Sequence, residues 1–326
     1  MRIVMGVDGG GSKTYTVIVN EVGDLLGKGL AASGNYEIVG LSQAMINIKA
    51  SMDLALKEAN LTEANIDFVQ YGLAGADRAQ DFVMLRRELA KFSYLAWDLV
   101  NDAMEGLRIG STDYTGVVLI CGSGTNAIGR NAVGEIVQIG GLGEMFGDRA
   151  GGKYLAATAF SLAFRAWEGR GIDTSLTAKI PEFFGLQTML EVRDHILDTE
   201  LEYIPEGITV VLHEAASDGD ELSRLLLEQT GKELGLAALA VLSKLGSAKD
   251  EVIPIVLIGS VLQKGKNPSL LMQLKETIHN KYKEAQLIIP EIIPVYGAVM
   301  LAMDRLSIPI ATELTNKFIQ YGGYNK

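Results

Sequence analysis

Two short glycine-rich segments have the composition of phosphate-binding loops. The first follows an apolar run, starts after Asp8 and contains Gly10, Gly11, Ser12, Lys13 and Thr14. The second follows another apolar run and contains Gly122, Ser123, Gly124 and Thr125. Backbone N–H groups of such turns can form a concave anion site, and a carboxylate at the end of a strand could hold hydrated Mg²⁺. Taken singly, each segment could equally be an ordinary glycine turn in a hairpin.

An acidic residue stands where a strand pattern gives way to a helical pattern. Asn101 and Asp102 follow an apolar stretch and precede a helix that we expect to begin at Ala103. Asn and Asp are favoured at a helix N-cap, where they contribute ~1 kcal/mol. A carboxylate at the C-terminal end of a strand in an α/β domain is also placed to act as a general base. Position alone favours the cap, and the catalytic role is the alternative.

A third glycine-rich segment, residues 140–152, contains six glycines in thirteen residues and ends where a helix begins. One turn does not require so many glycines. Backbone donors together with an acidic side chain could bind a polyol here, and the candidate residues are Gly140, Gly141, Gly143 and Asp148. The alternative is a strand-to-helix loop in which Asp148 caps the helix.

Three further segments are weaker candidates for binding residues. Residues 33–36, which include Asn35, and residues 73–78, which include Ala74, Gly75 and Ala76, could each be a plain connecting turn. Gly259 and Ser260 follow a hydrophobic strand and could admit a nucleotide base or could simply end the strand.

The two phosphate-loop candidates lie at equivalent positions of an internal sequence repeat. Residues match others 111 positions later at Gly11 and Gly122, Ser12 and Ser123, Thr14 and Thr125, Asn20 and Asn131, and Gly23 and Gly134. Each copy reads as a three-stranded meander, predicted at residues 3–7, 15–19 and 25–30 and at residues 117–121, 126–129 and 135–139.

Alternating helices and strands follow each meander. The periodicity predicts helices at residues 41–60, 77–92, 103–109, 148–167, 269–283 and 296–306, and strands at residues 66–72, 94–100, 252–258 and 286–289. The pattern indicates two βββαβαβα halves, and therefore two similar α/β domains with a cleft between them. Such a cleft is the expected place for a small-molecule site.

Composition excludes several classes of protein. With 326 residues, 48% hydrophobic and 21% charged, the chain is too long for one ordinary core and too apolar for disorder. A net charge of −11 argues against nucleic-acid or anionic-membrane partners. One cysteine and three scattered histidines provide neither a disulfide framework nor a zinc site. We expect a soluble cytoplasmic protein, since no apolar stretch approaches the roughly 18 residues of a spanning helix.

Together, the repeated meander, the Asp8–Thr14 loop, the Asn101-Asp102-Ala103 motif and the 140–152 loop resemble the BadF/BadG/BcrA/BcrD-type ATPase family, which belongs to the sugar kinase, Hsp70 and actin superfamily. The resemblance covers nearly the whole chain and is strongest to the N-acetylglucosamine kinases of the family. It implies two duplicated ribonuclease H-like (actin-like ATPase) domains, at residues 1–110 and 111–307. Apolar residues at helical spacing indicate that the second domain also has a helical insertion at about 170–246. The resemblance further implies a C-terminal helix, at about 308–326, that returns to the first domain.

The resemblance also implies roles for the candidate residues. The two loops would bind the phosphates of ATP, Asp8 would lie near Mg²⁺, and Asp102 would be the general base. The sugar would be contacted by Asn35, Ala74, Gly75, Ala76, Asp102, Gly140, Gly141, Gly143 and Asp148. Gly259 and Ser260 fall where the adenosine motif of the family lies, although that motif usually has two glycines.

The expected activity is transfer of the γ-phosphoryl group of ATP to the 6-hydroxyl of an amino sugar, with N-acetylglucosamine the leading candidate. N-acetylmuramic acid, glucosamine and glucose are alternative substrates, and an ATP-hydrolysing conformational regulator is an alternative of another class. Activators of 2-hydroxyacyl dehydratases in the same family hold an iron–sulfur cluster on cysteines, and the single Cys121 argues against that role. Long apolar helices favour a homodimer.

Overall fold

The computed structural model describes residues 1–323 of the chain. The strands in this range are β1 (Ile3–Gly9), β2 (Lys13–Asn20), β3 (Leu25–Ala32), β4 (Phe68–Leu73), β5 (Trp97–Val100), β6 (Gly116–Cys121), β7 (Thr125–Arg130), β8 (Ile136–Gly140), β9 (Pro254–Ile258) and β10 (Gln286–Ile288).

The α-helices in the same range are α1 (Tyr36–Val39), α2 (Leu41–Ala59), α3 (Ala79–Leu89), α4 (Asp102–Gly110), α5 (Gly152–Trp167), α6 (Leu176–Phe183), α7 (Met189–Asp198), α8 (Ile208–Ser217), α9 (Glu221–Lys244), α10 (Pro268–His279), α11 (Pro294–Arg305) and α12 (Thr312–Tyr321). No helix within residues 1–323 is both long enough and apolar enough to cross a membrane.

The first structural unit combines residues 1–115 with the chain from residue 290 onward. Its five-stranded sheet has the order β3-β2-β1-β4-β5, in which the meander strands are antiparallel and β1, β4 and β5 are parallel. Side chains alternate between the two faces of each strand. On β1, Met5 and Val7 pack in a core with α2 and α3, whereas Val4 packs in a second core with α11 and α12.

The assignment of α11 differs from the sequence expectation. The sequence placed residues 111–307 in the second domain, but α11 lies in the first unit. The reason is close packing that only glycine permits: a Cβ at Gly6 of β1 would lie 2.8 Å from the carbonyl oxygen of Val295. Gly297 of α11 packs against the backbone of Glu105 on α4 in the same way. Arg108 of α4 also forms a bidentate ion pair with Asp304 of α11, at 2.7 and 3.1 Å.

The C-terminal helix α12 also lies in the first unit, where Phe318 stacks on Tyr296 with ring centroids 4.7 Å apart. The sequence assigned about 308–326 to this helix. In the structure α12 covers Thr312–Tyr321, and residues 324–326 lie outside the described part of the chain.

The second unit consists of residues 116–289, and its sheet has the equivalent order β8-β7-β6-β9-β10. The two sheets confirm the predicted α/β fold with two duplicated domains. The copies differ by one residue in the first turn, because Gly9 pairs with Thr14 in the first unit and Cys121 pairs with Thr125 in the second. Ile120 therefore occupies the position of Asp8, and the second copy has no carboxylate there.

The segment 170–246, expected to be a helical insertion, contains the helices α6–α9. Within the second unit, α9 packs on the sheet at β7 and β8 and lies beside α10. Glycines again allow the close approach, since a Cβ at Gly235 would lie 2.6 Å from the side chain of Thr277.

Candidate active site

The β1–β2 turn of the first unit is the predicted first phosphate loop. It is closed by a hydrogen bond from the N–H of Gly10 to the carbonyl of Lys13, at 2.9 Å. Gly11, Ser12 and Lys13 are exposed at its tip. The backbone donors and the cationic side chain at this tip are therefore accessible to an anion.

The two threonines assigned to phosphate binding have their hydroxyls engaged inside their own hairpins. The hydroxyl of Thr14 donates to the carbonyl of Ala32 at 2.8 Å, and that of Thr125 donates to the carbonyl of Ile120 at 3.0 Å. The Thr14 hydroxyl thus joins β2 to the end of β3, and the Thr125 hydroxyl closes the β6–β7 turn. Any direct contact with phosphate would therefore use other donors of the loops.

Asp8 is the next-to-last residue of β1, beside the first loop, and its Cα pairs with that of Gly72 on β4. By strand alternation its side chain lies on the face covered by α4 and α11. Burial raises the pKa of the Asp8 carboxyl to about 6, and the nearby Lys13 partly opposes this. The carboxylate is thus a desolvated anion, which a bound cation would stabilise.

Asn101 is the N-cap of α4, and Asp102 is the first residue of the helix. The Asn101 side chain accepts a hydrogen bond from the N–H of Ala103 at 2.9 Å and donates to Asp77 at 3.0 Å. One oxygen of the Asp102 carboxyl also lies 2.9 Å from the N–H of Ala103. Asn101 therefore provides the cap of α4, and the hydrogen bonds of the Asp102 carboxyl are to backbone N–H groups at the start of the helix.

The electrostatic environment of Asp102 suits a base that works near neutral pH. Burial, then the negative charges of Asp8 and Asp77, raise the pKa of the carboxyl to about 7, and the N–H of Ala103 partly lowers it. The influence of Asp8 places the two carboxyl groups close enough to interact. A carboxylate with a pKa near the working pH can be ionised and still accept a proton readily.

Glu105 was not identified from the sequence, yet it is the most buried acid of this group. Its residue exposure is 0%, and neither carboxyl oxygen has a hydrogen-bond partner within residues 1–323. The carboxyl occupies the space that a side chain at Gly72 would fill. Burial, followed by the charges of Asp8 and Asp102, raises the pKa of Glu105 well above its usual value, so we treat the group as neutral.

Asn35 and the 74–76 turn, both predicted to contact the sugar, are neighbours in the first unit. The Asn35 side chain caps α1 by accepting from the N–H of Glu37 at 2.8 Å, and its Oδ1 would be 2.9 Å from a Cβ on Gly75. The N–H of Ala74 donates to the carbonyl of Gly9 at 2.9 Å, and the carbonyl of Ala76 accepts from Asn101 at 3.3 Å. These bonds join the turn to both β1 and the start of α4.

The predicted second phosphate loop lies between β6 and β7 and is fixed to the start of α5. The N–H groups of Gly152 and Lys153 donate to the carbonyls of Gly122 and Ser123, at 2.7 and 3.0 Å. A Cβ added at Gly122 or at Gly124 would meet no atom within 4 Å. The space in front of this loop is therefore open within the second unit.

Gly259 packs directly under the second loop. Its φ is +95°, and a Cβ there would lie 2.7 Å from the backbone nitrogen of Gly122. Gly151, with a φ of +98°, makes an equally close approach to the backbone of Gly124. Gly259 thus supports the loop, whereas the neighbouring Ser260 lines a cavity of about 600 Å³.

The 140–148 segment is held together by Asp148, which is neither a helix cap nor within a helix. Its Oδ2 accepts hydrogen bonds from the N–H groups of Leu142 and Gly143, at 2.9 and 2.7 Å. The helix predicted from residue 148 begins only at Gly152. Gly140, Gly141 and Gly143 all have positive φ, which explains the glycine content.

A cavity of about 290 Å³ lies beside this segment and is lined in part by Gly140, Asp148 and Asn126. The Oδ1 of Asn126 is buried without a hydrogen-bond partner among the described residues. An acceptor without a partner is therefore buried next to the loop predicted to bind the sugar.

Cys121 ends β6 and is buried, and its burial raises the pKa of the thiol to about 12. A thiol that remains protonated and enclosed is a poor metal ligand.

The structure thus gathers the predicted residues into two groups. In the first unit, the loop after Asp8, the Asn35 and 74–76 turns, and Asp102 lie at the carboxyl edge of the sheet. In the second unit, the Gly122–Thr125 loop adjoins Gly259 and the start of α5, and the 140–148 loop follows β8. No sequence motif points to Glu105, or to Glu206, whose carboxylate accepts a hydrogen bond from the Ser123 hydroxyl at 2.8 Å.

Comparison with known proteins yields a family match over most of the chain. The model of the BadF/BadG/BcrA/BcrD ATPase family matches residues 5–302. An N-acetyl-D-glucosamine kinase from Dictyostelium discoideum is 27% identical over 315 residues, covering 93% of this chain and 98% of its own. An N-acetylmuramic acid/N-acetylglucosamine kinase from Clostridium acetobutylicum is 25% identical over 310 residues, covering 94% and 99%.

A solved structure with a similar fold is the ROK hexokinase from Thermus thermophilus. It superimposes with a TM-score of 0.57 at 15% sequence identity, covering 94% of this chain and 99% of the hexokinase. At this identity the similarity concerns the fold alone, and it shows that the arrangement of strands and helices in this chain is also found in that hexokinase.

Proposed function

Since the chain belongs to the BadF/BadG/BcrA/BcrD ATPase family, we propose that it is an ATP-dependent kinase of amino sugars that phosphorylates N-acetylglucosamine at the 6-hydroxyl. Two relatives that match over more than nine-tenths of the chain are kinases of N-acetylglucosamine. The observation that carries the proposal is the environment of Asp102, a carboxyl with a pKa of about 7 beside Asp8 and the first glycine loop.

The hypothesis assigns the proton transfer to Asp102. The Asp102 carboxylate accepts the proton of the sugar hydroxyl while the hydroxyl oxygen of the sugar attacks the γ-phosphorus of ATP. The bond from the γ-phosphorus to the bridging oxygen of ADP breaks, and ADP leaves. General-base help of this kind contributes typically ~10²- to 10⁴-fold to the rate, and positioning provides much of the remainder.

ATP would be bound by the backbone donors of both glycine loops, with Lys13 adding a positive charge in the first. The fit of Mg²⁺ rests on Asp8: it is a hard oxygen donor at the loop, and its desolvated charge lacks a hydrogen-bonded cation within residues 1–323. Mg²⁺ commonly takes one or two carboxylates together with waters and substrate phosphates. When bound, the ion would neutralise charge on the transferred phosphoryl group.

The sugar would be bound by Asn35, the 74–76 turn and Asp102 in the first unit, and by Gly140, Gly141, Gly143 and Asp148 in the second. The support is the proximity of the first set to one another and the cavity beside the second set. Since the Oδ2 of Asp148 holds backbone N–H groups, any sugar hydroxyl would use its other oxygen.

N-acetylmuramic acid is the second candidate substrate, because the relative from Clostridium acetobutylicum is named for both sugars. Glucosamine and glucose are further candidate substrates, and both lack the N-acetyl group, so their phosphorylation would show whether that group is required. A regulator that hydrolyses ATP without a sugar substrate is the candidate of another class.

The deciding experiment measures ADP release with each of these sugars and without sugar. The proposal expects N-acetylglucosamine to give the highest kcat/KM and a 6-phosphate product identified by NMR. ADP release stimulated by N-acetylmuramic acid alone would make that sugar the substrate. ADP release that no sugar stimulates would contradict the kinase proposal and favour the regulator.

A further inference from the structure

Arg149 is an exposed cation between the 140–148 segment and the start of α5. Its side chain forms no hydrogen bond or ion pair within residues 1–323, whereas every other arginine in that range interacts with another group of the chain. In a chain with a net charge of −11, acidic partners for an arginine are plentiful. An unpaired arginine beside a candidate active site is therefore a candidate for binding an anionic ligand.

The chain around Arg149 connects two parts of the candidate site in the second unit. Its neighbour Asp148 holds two backbone N–H groups of the 140–148 segment, at 2.9 and 2.7 Å. Two residues beyond Arg149, a Cβ at Gly151 would lie 2.7 Å from the carbonyl carbon of Gly124 in the second phosphate loop. Because two residues span at most about 7 Å of extended chain, Arg149 lies close to the point where the backbone meets that loop.

The internal repeat shows that the second phosphate loop lacks a cation that the first loop has. Lys13 is exposed at the tip of the first loop, and the residue 111 positions later is Gly124. The other residues of the second loop, Gly122, Ser123 and Thr125, are also uncharged. A positive charge for a phosphate at this loop would therefore have to come from another segment of the chain.

Two exposed cations flank the end of that segment, Arg149 and Lys153. Only Arg149 lines the cavity of about 290 Å³ that Asp148 also lines. Glu233 lines the same cavity, yet no ion pair joins it to Arg149. An arginine can also bind a phosphate through two parallel hydrogen bonds, whereas a lysine acts as a point charge. Of the two cations, Arg149 is thus the better suited to a phosphate oxygen next to Asp148.

We infer that Arg149 binds the phosphoryl group that is transferred and is the counterpart of Lys13 for the second loop. The γ-phosphoryl group passes from the nucleotide to the sugar, so on the second unit it would lie between the phosphate loop and the 140–148 segment. Its bond to the bridging oxygen of ADP breaks, its bond to the sugar oxygen forms, and the hydroxyl proton goes to Asp102. The guanidinium would offset negative charge on the transferred oxygens throughout this step.

The inference deepens the proposed function and rests on it, because it presumes phosphoryl transfer to a sugar at the 140–148 segment. The test measures the affinity of the intact protein for ADP and for adenosine 5′-(β,γ-imido)triphosphate by calorimetry in the presence of Mg²⁺. The second nucleotide is a non-hydrolysable analogue of ATP that carries the γ-phosphate.

The substitution Arg149→Gln should weaken binding of the analogue at least about tenfold and change that of ADP less than about twofold, because hydrogen bonds between charged groups are lost only at the γ-phosphate. Arg149→Lys keeps the charge without the two parallel hydrogen bonds and should retain part of the affinity for the analogue. In turnover, kcat of Arg149→Gln should fall while the KM for the sugar stays unchanged.

The matched control is Lys153→Gln, which removes the same charge four residues further on and keeps the backbone N–H that bonds to Ser123. It should retain the wild-type ratio of the two affinities. Equal weakening of both nucleotides in Arg149→Gln, or an unchanged ratio, would overturn the inference.

A different anion is tested with the sugars. If Arg149→Gln loses affinity only for N-acetylmuramic acid, the arginine binds the carboxylate of that sugar, and the inference is overturned as well. Because the nucleotide affinities are measured without turnover, absence of phosphorylation with every sugar would count against the proposed function alone.

Discussion

The rate of sugar phosphorylation should fall as the pH drops below about 7, because Asp102 must be ionised to accept a proton. The pKa of this carboxyl is raised to about 7, so its charged form is lost as the pH falls through that value. About a tenth of the molecules carry an ionised Asp102 one pH unit below the pKa, and kcat/KM at pH 6 should therefore be roughly a tenth of its plateau.

The position of this acid limb should respond to neighbouring charge. Asp77→Asn removes an anion that raises the pKa of Asp102, so the limb should move to lower pH. The amide oxygen of the new side chain can still accept the hydrogen bond from Asn101. The assay is kcat/KM for the sugar between pH 5 and 9 in buffers of constant ionic strength. Asp113→Asn, which changes an exposed acid without influence on Asp102, is the control.

Two results would refute this reasoning. A profile that is flat between pH 5 and 8 would show that no group of this pKa limits the reaction. A limb at the same pH in wild type and Asp77→Asn would show that the charges assigned here do not set the pKa of the base.

Three further predictions concern packing around the candidate site. Gly72→Ala should lower the free energy of unfolding by about 1–3 kcal/mol, because the added methyl group overlaps the Glu105 side chain. In urea denaturation, the double variant with Glu105→Ala should recover much of that lost stability. Additive effects of the two substitutions would contradict the assigned contact. The stability of Glu105→Gln relative to wild type should increase as the pH rises. Because burial raises the pKa of Glu105, ionisation of the carboxyl at high pH destabilises the wild-type fold, and the glutamine variant escapes this loss. A difference in Tm that does not change with pH would argue against a neutral carboxyl. Gly259→Ala should raise the KM for ATP much more than Gly246→Ala. Both glycines have positive φ, but only Gly259 packs against the backbone of Cys121 and Gly122 at the second loop. Equal effects on the KM would show that Gly259 does not support the loop.

Much of the fold could be predicted from local sequence pattern. The repeated glycines, the alternation of the meander strands and the periodic helices specify elements of a few to twenty residues, and the structure contains a matching element for each. The location of α11 could not be predicted in this way, because it depends on Gly6 and Gly297 meeting residues far away in sequence.

The candidate site could be predicted only in part. Glycine loops and an acid after a strand are visible in sequence, but which oxygen bonds to which N–H is decided by side-chain rotamers. Asn101 and not Asp102 provides the cap of α4, and Asp148 binds loop N–H groups where a helix cap was the alternative. Glu105 and Glu206 acquire their positions through tertiary packing alone, and neither belongs to a recognisable motif.

The most direct test of the central claim is the substitution Asp102→Asn, with sugar binding measured by calorimetry and phosphorylation measured by ADP release on the same preparation. Asparagine keeps the size of the side chain and its contact with the N–H of Ala103, but it cannot accept the proton. We predict that sugar affinity stays within a few-fold of wild type and that turnover falls by at least about a hundredfold. A variant that retains more than about a tenth of wild-type turnover would contradict the assignment of Asp102 as the base.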